Sequence, residues 1–73
     1  MASDYVNVYE KLGGNIKRIR IKKGLSQQEL AEKARIDLTT VSELESGLRN
    51  TSVKILNQIS SALATSIKEL FNY

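Results

Sequence analysis

An all-α fold is predicted by three features of the 73-residue sequence. Apolar residues recur at three- and four-residue spacings along most of its length. Ser or Asp stands just ahead of several of these runs, where a helix needs a side-chain cap, and twice a Glu follows three residues later. No segment alternates apolar and polar residues with period two, and the one hairpin-like dipeptide, Gly13-Gly14, has helical flanks. Five helices, the first of them long, account for the chain.

Met1 to Ser3 read as a frayed end, and Tyr5, Val8, Leu12, Ile16 and Ile19 then mark one face of a first helix. Gly13-Gly14 costs about 1 kcal/mol per glycine relative to Ala, so this helix either runs through the pair or starts at Asn15 after a separate turn. Gly24 ends it. Ser26 and Glu29 form a capping box that opens a second helix near Gln27, whose Leu30, Ala31 and Ala34 point inward and which ends near Arg35 and Ile36. Asp37 is the N-cap of a third helix, with Val41 and Leu44 on its inner face and Gly47 as a left-handed stop. After the polar connector Leu48-Arg49-Asn50-Thr51, Ser52 caps a fourth helix with the stripe Val53, Leu56, Ile59 and Leu63. Ser66 and Glu69 make another capping box, opening a last helix in which Ile67, Leu70, Phe71 and Tyr73 are unusually apolar for a chain end.

The second and third helices are two short capped helices joined by a tight turn, the pattern of a helix-turn-helix. Such a pair buries little apolar surface by itself and must rest on flanking helices.

A chain of this length is one small domain, at the size where a single core is marginal and association helps. It holds no Cys, His, Trp or Pro, which removes disulfides, thiolate and imidazole metal ligands and cysteine nucleophiles. No paired-carboxylate arrangement is evident either, so neither an enzyme nor a metal or other cofactor is expected. The net charge of +3 and pI near 9.4 suit a polyanionic partner. Lys11, Lys17, Arg18, Arg20, Lys22 and Lys23 lie in a stretch without acids, whereas Glu29, Glu32, Asp37, Glu43 and Glu45 gather in the middle. No apolar run reaches bilayer length and no basic-then-apolar signal opens the chain, so a cytoplasmic protein with no membrane partner is expected.

In a helix-turn-helix the second helix enters the major groove with its amino-terminal residues toward the base edges. Leu38, Thr39, Ser42 and Glu43 are therefore the base-reading candidates. Leu38 fits a thymine methyl, or packs on Arg35 or Val41 as a helix-end residue. Thr39 can bond a base or a phosphate. Glu43 either accepts from a cytosine N4 amino group or stands as a solvated carboxylate that repels phosphate. Thr40, Arg49 and Asn50 are candidate phosphate contacts at the flanking edge, Arg49 being equally compatible with a solvated charge. Of the basic residues near the end of the first helix, Lys17 is the phosphate candidate, against the ordinary alternative of a solvated face.

Taken together, Ile16, Ile19, Arg20, Gly24, Leu25-Ser26-Gln27, Glu29-Leu30-Ala31, Val41-Ser42, Glu45, Gly47, Asn50, Leu56, Ile59, Leu63 and Leu70-Phe71 resemble the lambda-repressor-like, Cro/C1-type (XRE) helix-turn-helix family. The likeness covers roughly residues 16–71 at family-typical spacing. It implies a single compact five-helix DNA-binding domain over residues 1–73. Within the family the chain looks most like small stand-alone regulators, such as restriction-modification controller proteins and compact phage or plasmid repressors, which dimerise through their last helices. The resemblance implies that Gln27 holds a backbone phosphate and that Arg20 and Glu45 form a partly buried ion pair between the first and third helices. Three positions depart from the pattern: Arg35 stands where many relatives have Gly, Thr51 where Pro is frequent, and Ala64-Thr65 where a small residue and Val are usual. Arg35 implies either a strained left-handed residue or a slightly different turn.

The function expected is a sequence-specific transcription regulator on double-stranded DNA, homodimeric on a near-palindromic operator. Ile67, Leu70, Phe71 and Tyr73 serve as the dimer interface, as the bottom of the core, or as both. The alternative is a protein-interaction module, such as an antitoxin or anti-repressor, on the same scaffold. No small-molecule ligand is expected, since the helical domain offers no evident pocket for one.

Overall fold

The computed structural model describes residues 3–48 and 50–73, with side chains described from Val8 onward. Five helices follow one another: α1 (Ser3–Lys22), α2 (Gln27–Ala34), α3 (Leu38–Glu45), α4 (Val53–Ala62) and α5 (Ile67–Leu70), with no strand among the described residues. Met1, Ala2 and Arg49 lie outside the described residues, as does the Tyr5 side chain.

One core serves all five helices. Leu12, Ile16 and Ile19 of α1 meet Leu30, Ala31 and Ala34 of α2, Val41 and Leu44 of α3, Leu56 and Ile59 of α4, and then Leu63 and Leu70. α1 packs on α3 and α5, α2 on α3 and α4, and α4 on α5. The helix-turn-helix is therefore clamped from both sides, which supplies the burial that two eight-residue helices lack alone.

All four interhelical turns close in one way. Gly24, Arg35, Gly47 and Ala64 each take a positive φ, of 76°, 60°, 73° and 55°. In each turn the next amide reaches back five residues: Leu25 N to Arg20 O at 3.1 Å, Ile36 N to Ala31 O at 3.0 Å, Leu48 N to Glu43 O at 3.1 Å and Thr65 N to Ser60 O at 2.9 Å. This is the Schellman closure of a helix end, in which a left-handed residue satisfies orphan carbonyls. Arg35 and Ala64 pay in strain, about 1 kcal/mol each, for a geometry glycine adopts freely. Of the two options open for Arg35, the left-handed one is realised.

The caps follow the sequence in part. Ser26 and Glu29 form the full capping box, Ser26 N donating to Glu29 Oε1 at 2.8 Å and Glu29 N to Ser26 Oγ at 3.0 Å. Ser52 accepts from Ile55 N at 3.1 Å. Ser66 accepts from Glu69 N at 3.2 Å, which is one half of the box expected there. Asp37 occupies the N-cap position of α3 without capping a backbone amide; its carboxylate accepts a hydrogen bond from the Thr40 hydroxyl instead.

α1 runs unbroken through Gly13-Gly14, for a reason that lies in α3. A Cβ on Gly13 would sit 2.0 Å from the carbonyl oxygen of Leu44. Only a residue without a side chain lets α1 rest directly on the end of α3. Two apolar residues depart from their expected stripes: Val8 is 45% exposed and Val53 74% exposed. Each lies near the start of its helix, at or beyond the edge of the shared core.

Candidate DNA-binding site

The first turn of α3 stands outward. Leu38 is 43% exposed and Thr39 is exposed, whereas Val41 and Leu44, on the opposite face, are 1% and 3% exposed. Ser42 and Glu43, one turn further on, are half-buried. The helix thus presents one apolar and one hydroxyl-bearing side chain at its tip, with a hydroxyl and a carboxylate behind them.

A buried charge cluster fixes the other end of α3. Arg20 of α1 donates from Nε to Glu45 Oε2 at 2.6 Å, from Nη2 to Glu45 Oε1 at 3.0 Å and from Nη1 to the Leu25 carbonyl at 2.8 Å. The pair is almost wholly removed from solvent, with the side chains 9% and 3% exposed. The Glu45 carboxylate raises the Arg20 pKa, first through these hydrogen bonds and then through its charge, against an opposing effect of burial. Fork-to-carboxylate pairing of this kind fixes orientation as well as distance.

Gln27, in the first turn of α2, joins the cluster: its Nε2 donates to Glu45 Oε1 at 2.9 Å. The side chain is half-buried. One amide proton is committed to Glu45, and the second, with the amide oxygen, is left to act outward. Leu38 and Glu45 bound α3, about 10 Å apart along its axis, so the Gln27 amide and the exposed tip mark the two ends of one short helix.

Beside α3, Thr40, Asn50, Thr51, Ser52 and Ile55 line an open recess of about 410 Å³. Asn50 is exposed at its rim and Lys17 is exposed on α1. Arg49 lies outside the described residues.

Two expectations are corrected. Thr40 is 8% exposed and donates its hydroxyl to the Asp37 carboxylate, so the proton it would offer a phosphate is already engaged. Leu70 is 0% exposed and belongs to the core, so it offers a partner no surface. Its neighbours do: Phe71 is 43% and Tyr73 55% exposed, and Ile67 is half-buried.

Two buried polar residues, Asn15 and Ser60, had no role in the sequence reading. Asn15 is 4% exposed and bonds across to α5. The signal was present: Asn15 falls three residues after Leu12 and four before Ile19, inside the inward stripe, where an amide must find partners.

Among the described residues no group of His, Cys, Asp and Glu is arranged to hold a metal, and no helix is long and apolar enough to cross a membrane.

A helix held at its base by a buried ion pair and exposing its leading turn defines a helix-turn-helix DNA-binding regulator. The chain belongs to the helix-turn-helix family, whose model matches residues 16–70. It is similar to the control protein C.MunI of Mycoplasma sp, at 36% identity over 63 residues and 85% of each chain. It is also similar to the control protein C.BamHI of Bacillus amyloliquefaciens, at 32% identity over 92% of this chain and 84% of that one. The transcriptional regulator SinR of Bacillus licheniformis matches at 39% identity over 84% of this chain, which spans 56% of the longer relative. Among solved structures, the restriction-modification controller protein C.AhdI of Aeromonas hydrophila superposes with a TM-score of 0.85 at 35% identity, covering 86% of this chain and 96% of that one.

Proposed function

We propose that this chain is a cytoplasmic, sequence-specific transcription regulator that binds a near-palindromic operator as a homodimer, with α3 in the major groove. The observation that carries the reading is the division of α3 into an exposed tip, Leu38 and Thr39, and a base locked by Arg20, Glu45 and Gln27. In the groove, Leu38 packs on a thymine methyl and Thr39 bonds a base edge, while Ser42 and Glu43 read the pairs behind them. Gln27, Asn50 and Lys17 hold backbone phosphates and set the register.

About 4–6 such phosphate contacts from one head bind DNA weakly, and two heads on half-sites about one helical turn apart remedy this. Ile67, Phe71 and Tyr73, exposed or half-buried at the carboxyl end, form the two-fold contact. The similarity to control proteins of restriction-modification systems supports a regulator of this small kind.

The test is selection of bound duplexes from a random pool, followed by fluorescence anisotropy on the selected sequence over a range of salt. The expected result is a two-fold symmetric site whose affinity falls steeply with salt. Binding with neither sequence preference nor salt dependence would sink the proposal.

A further inference from the structure

Asn15 is buried with all of its hydrogen-bonding capacity in use. Its Nδ2 donates to the carbonyl oxygens of Glu69 at 2.9 Å and Leu70 at 2.8 Å, the last two residues of α5. Its Oδ1 accepts from Arg18 Nε at 3.0 Å and Nη2 at 2.8 Å. This fixes the amide's orientation, since a flip would set Oδ1 against two carbonyl oxygens and Nδ2 against a guanidinium. Arg18 is thereby held on the α5 side of α1.

Two residues earlier in the same helix, Gly13 brings α1 onto the end of α3, and two turns after Gly13 Arg20 grips Glu45. α1 therefore holds the DNA-reading helix on one flank and α5 on another. Phe71 directly follows the two carbonyls that Asn15 holds. α5 has only four residues and one core side chain, Leu70, so its direction depends on these two bonds to an unusual degree.

We infer that Asn15 is a positioning residue that sets the angle between the two reading heads of the dimer, and so selects the spacing of the half-sites the protein accepts. The inference rests on the carboxyl-terminal dimer proposed above. A two-fold complex accepts one spacing only when each head is rigidly related to the contact that joins them. In this fold the relation runs from α3 through α1 and Asn15 to α5.

The experiment compares wild type with Asn15→Asp on duplexes in which the selected half-sites are moved apart or together by single base pairs. The isosteric carboxylate keeps the pairing with Arg18 but turns acceptors toward two carbonyls. Binding to the optimal duplex is expected to weaken about tenfold, the size of losing a buried hydrogen-bond pair, with the preference for that spacing flattened. Binding to a single half-site is expected to stay unchanged, which a general loss of stability would not allow. If N15D fails to fold by circular dichroism, Asn15→Ala carries the same test, because it removes both bonds to α5 without setting a carboxylate against the two carbonyls. A folded variant that keeps the wild-type spacing preference overturns the inference. A wild-type protein with no spacing preference overturns the dimer reading itself, and this inference with it.

Discussion

The side-chain amide of Gln27 lies 2.9 Å from Oε1 of Glu45, on the oxygen that Arg20 also engages. The first turn of α2 and the last turn of α3 thus share one buried carboxylate. An amide held in this way loses little side-chain freedom when its second proton meets a phosphate.

Gln27→Ala is expected to remove one phosphate contact while leaving the fold in place. DNA affinity, measured by anisotropy, should fall by about fivefold on every duplex, with its salt dependence unchanged because a neutral amide releases no counterion. Stability should drop by about 1 kcal/mol, the size of one hydrogen bond to the cluster. An unchanged affinity would assign Gln27 to the fold alone.

The adjacent glycines of α1 should respond in opposite directions. Gly13→Ala forces a Cβ to 2.0 Å from the Leu44 carbonyl and should destabilise by about 3 kcal/mol or more, since both partners are backbone. Gly14→Ala meets nothing within 4 Å and should stabilise by about 1 kcal/mol through helix propensity. Chemical denaturation of both variants checks the pair, and equal effects would contradict the close approach of α1 and α3.

Arg35→Gly is expected to raise the thermal midpoint by relieving a left-handed φ of 60°, a gain of about 1 kcal/mol or roughly 4–8 °C in a domain of this size. Ala64→Gly should do likewise at φ 55°. Gly47→Ala should do the reverse with a larger effect, because its new Cβ also meets Glu10 at 2.8 Å. Calorimetric scans of the three variants give the comparison.

Acid should weaken the start of α2. The Ser26 backbone amide, and then the Ser26 hydroxyl, hold the Glu29 carboxyl below its ordinary value of 4.5. Because the folded value is the lower one, the box contributes fully above that ordinary value and its contribution is lost as pH falls through the folded value. Glu29→Gln keeps an acceptor and removes the titration. The stability advantage of wild type over E29Q, followed by denaturation from neutral pH downward, should therefore shrink below about pH 4.5, and a constant difference would argue against the bond.

The limits of α2 and α3 were legible because they depend on nearby residues: Ser26, Glu29 and Gly47 act within a turn of where they stand. The exposed tip of α3 followed from the spacing of Val41 and Leu44, and the Arg20–Glu45 pair from family likeness. The continuity of α1 was not legible, because the cause is the Leu44 carbonyl, thirty-one residues away from Gly13 in the chain. Thr40 stood among the phosphate contacts and Leu70 was left open between interface and core, because in one dimension a hydroxyl or a terminal apolar residue suits either place. Their burial depends on Asp37 and on the packing of α5 against α1 and α4. Val53 shows the opposite limit, since helical period alone does not tell where a core ends.

The direct seating of α1 on α3 at Gly13 leaves the reading unit no slack to take up. Such a unit is expected to meet its duplex already close to its final shape. Calorimetry of complex formation should then give a heat-capacity change matching the dehydrated contact area alone, without the surplus that accompanies folding upon association.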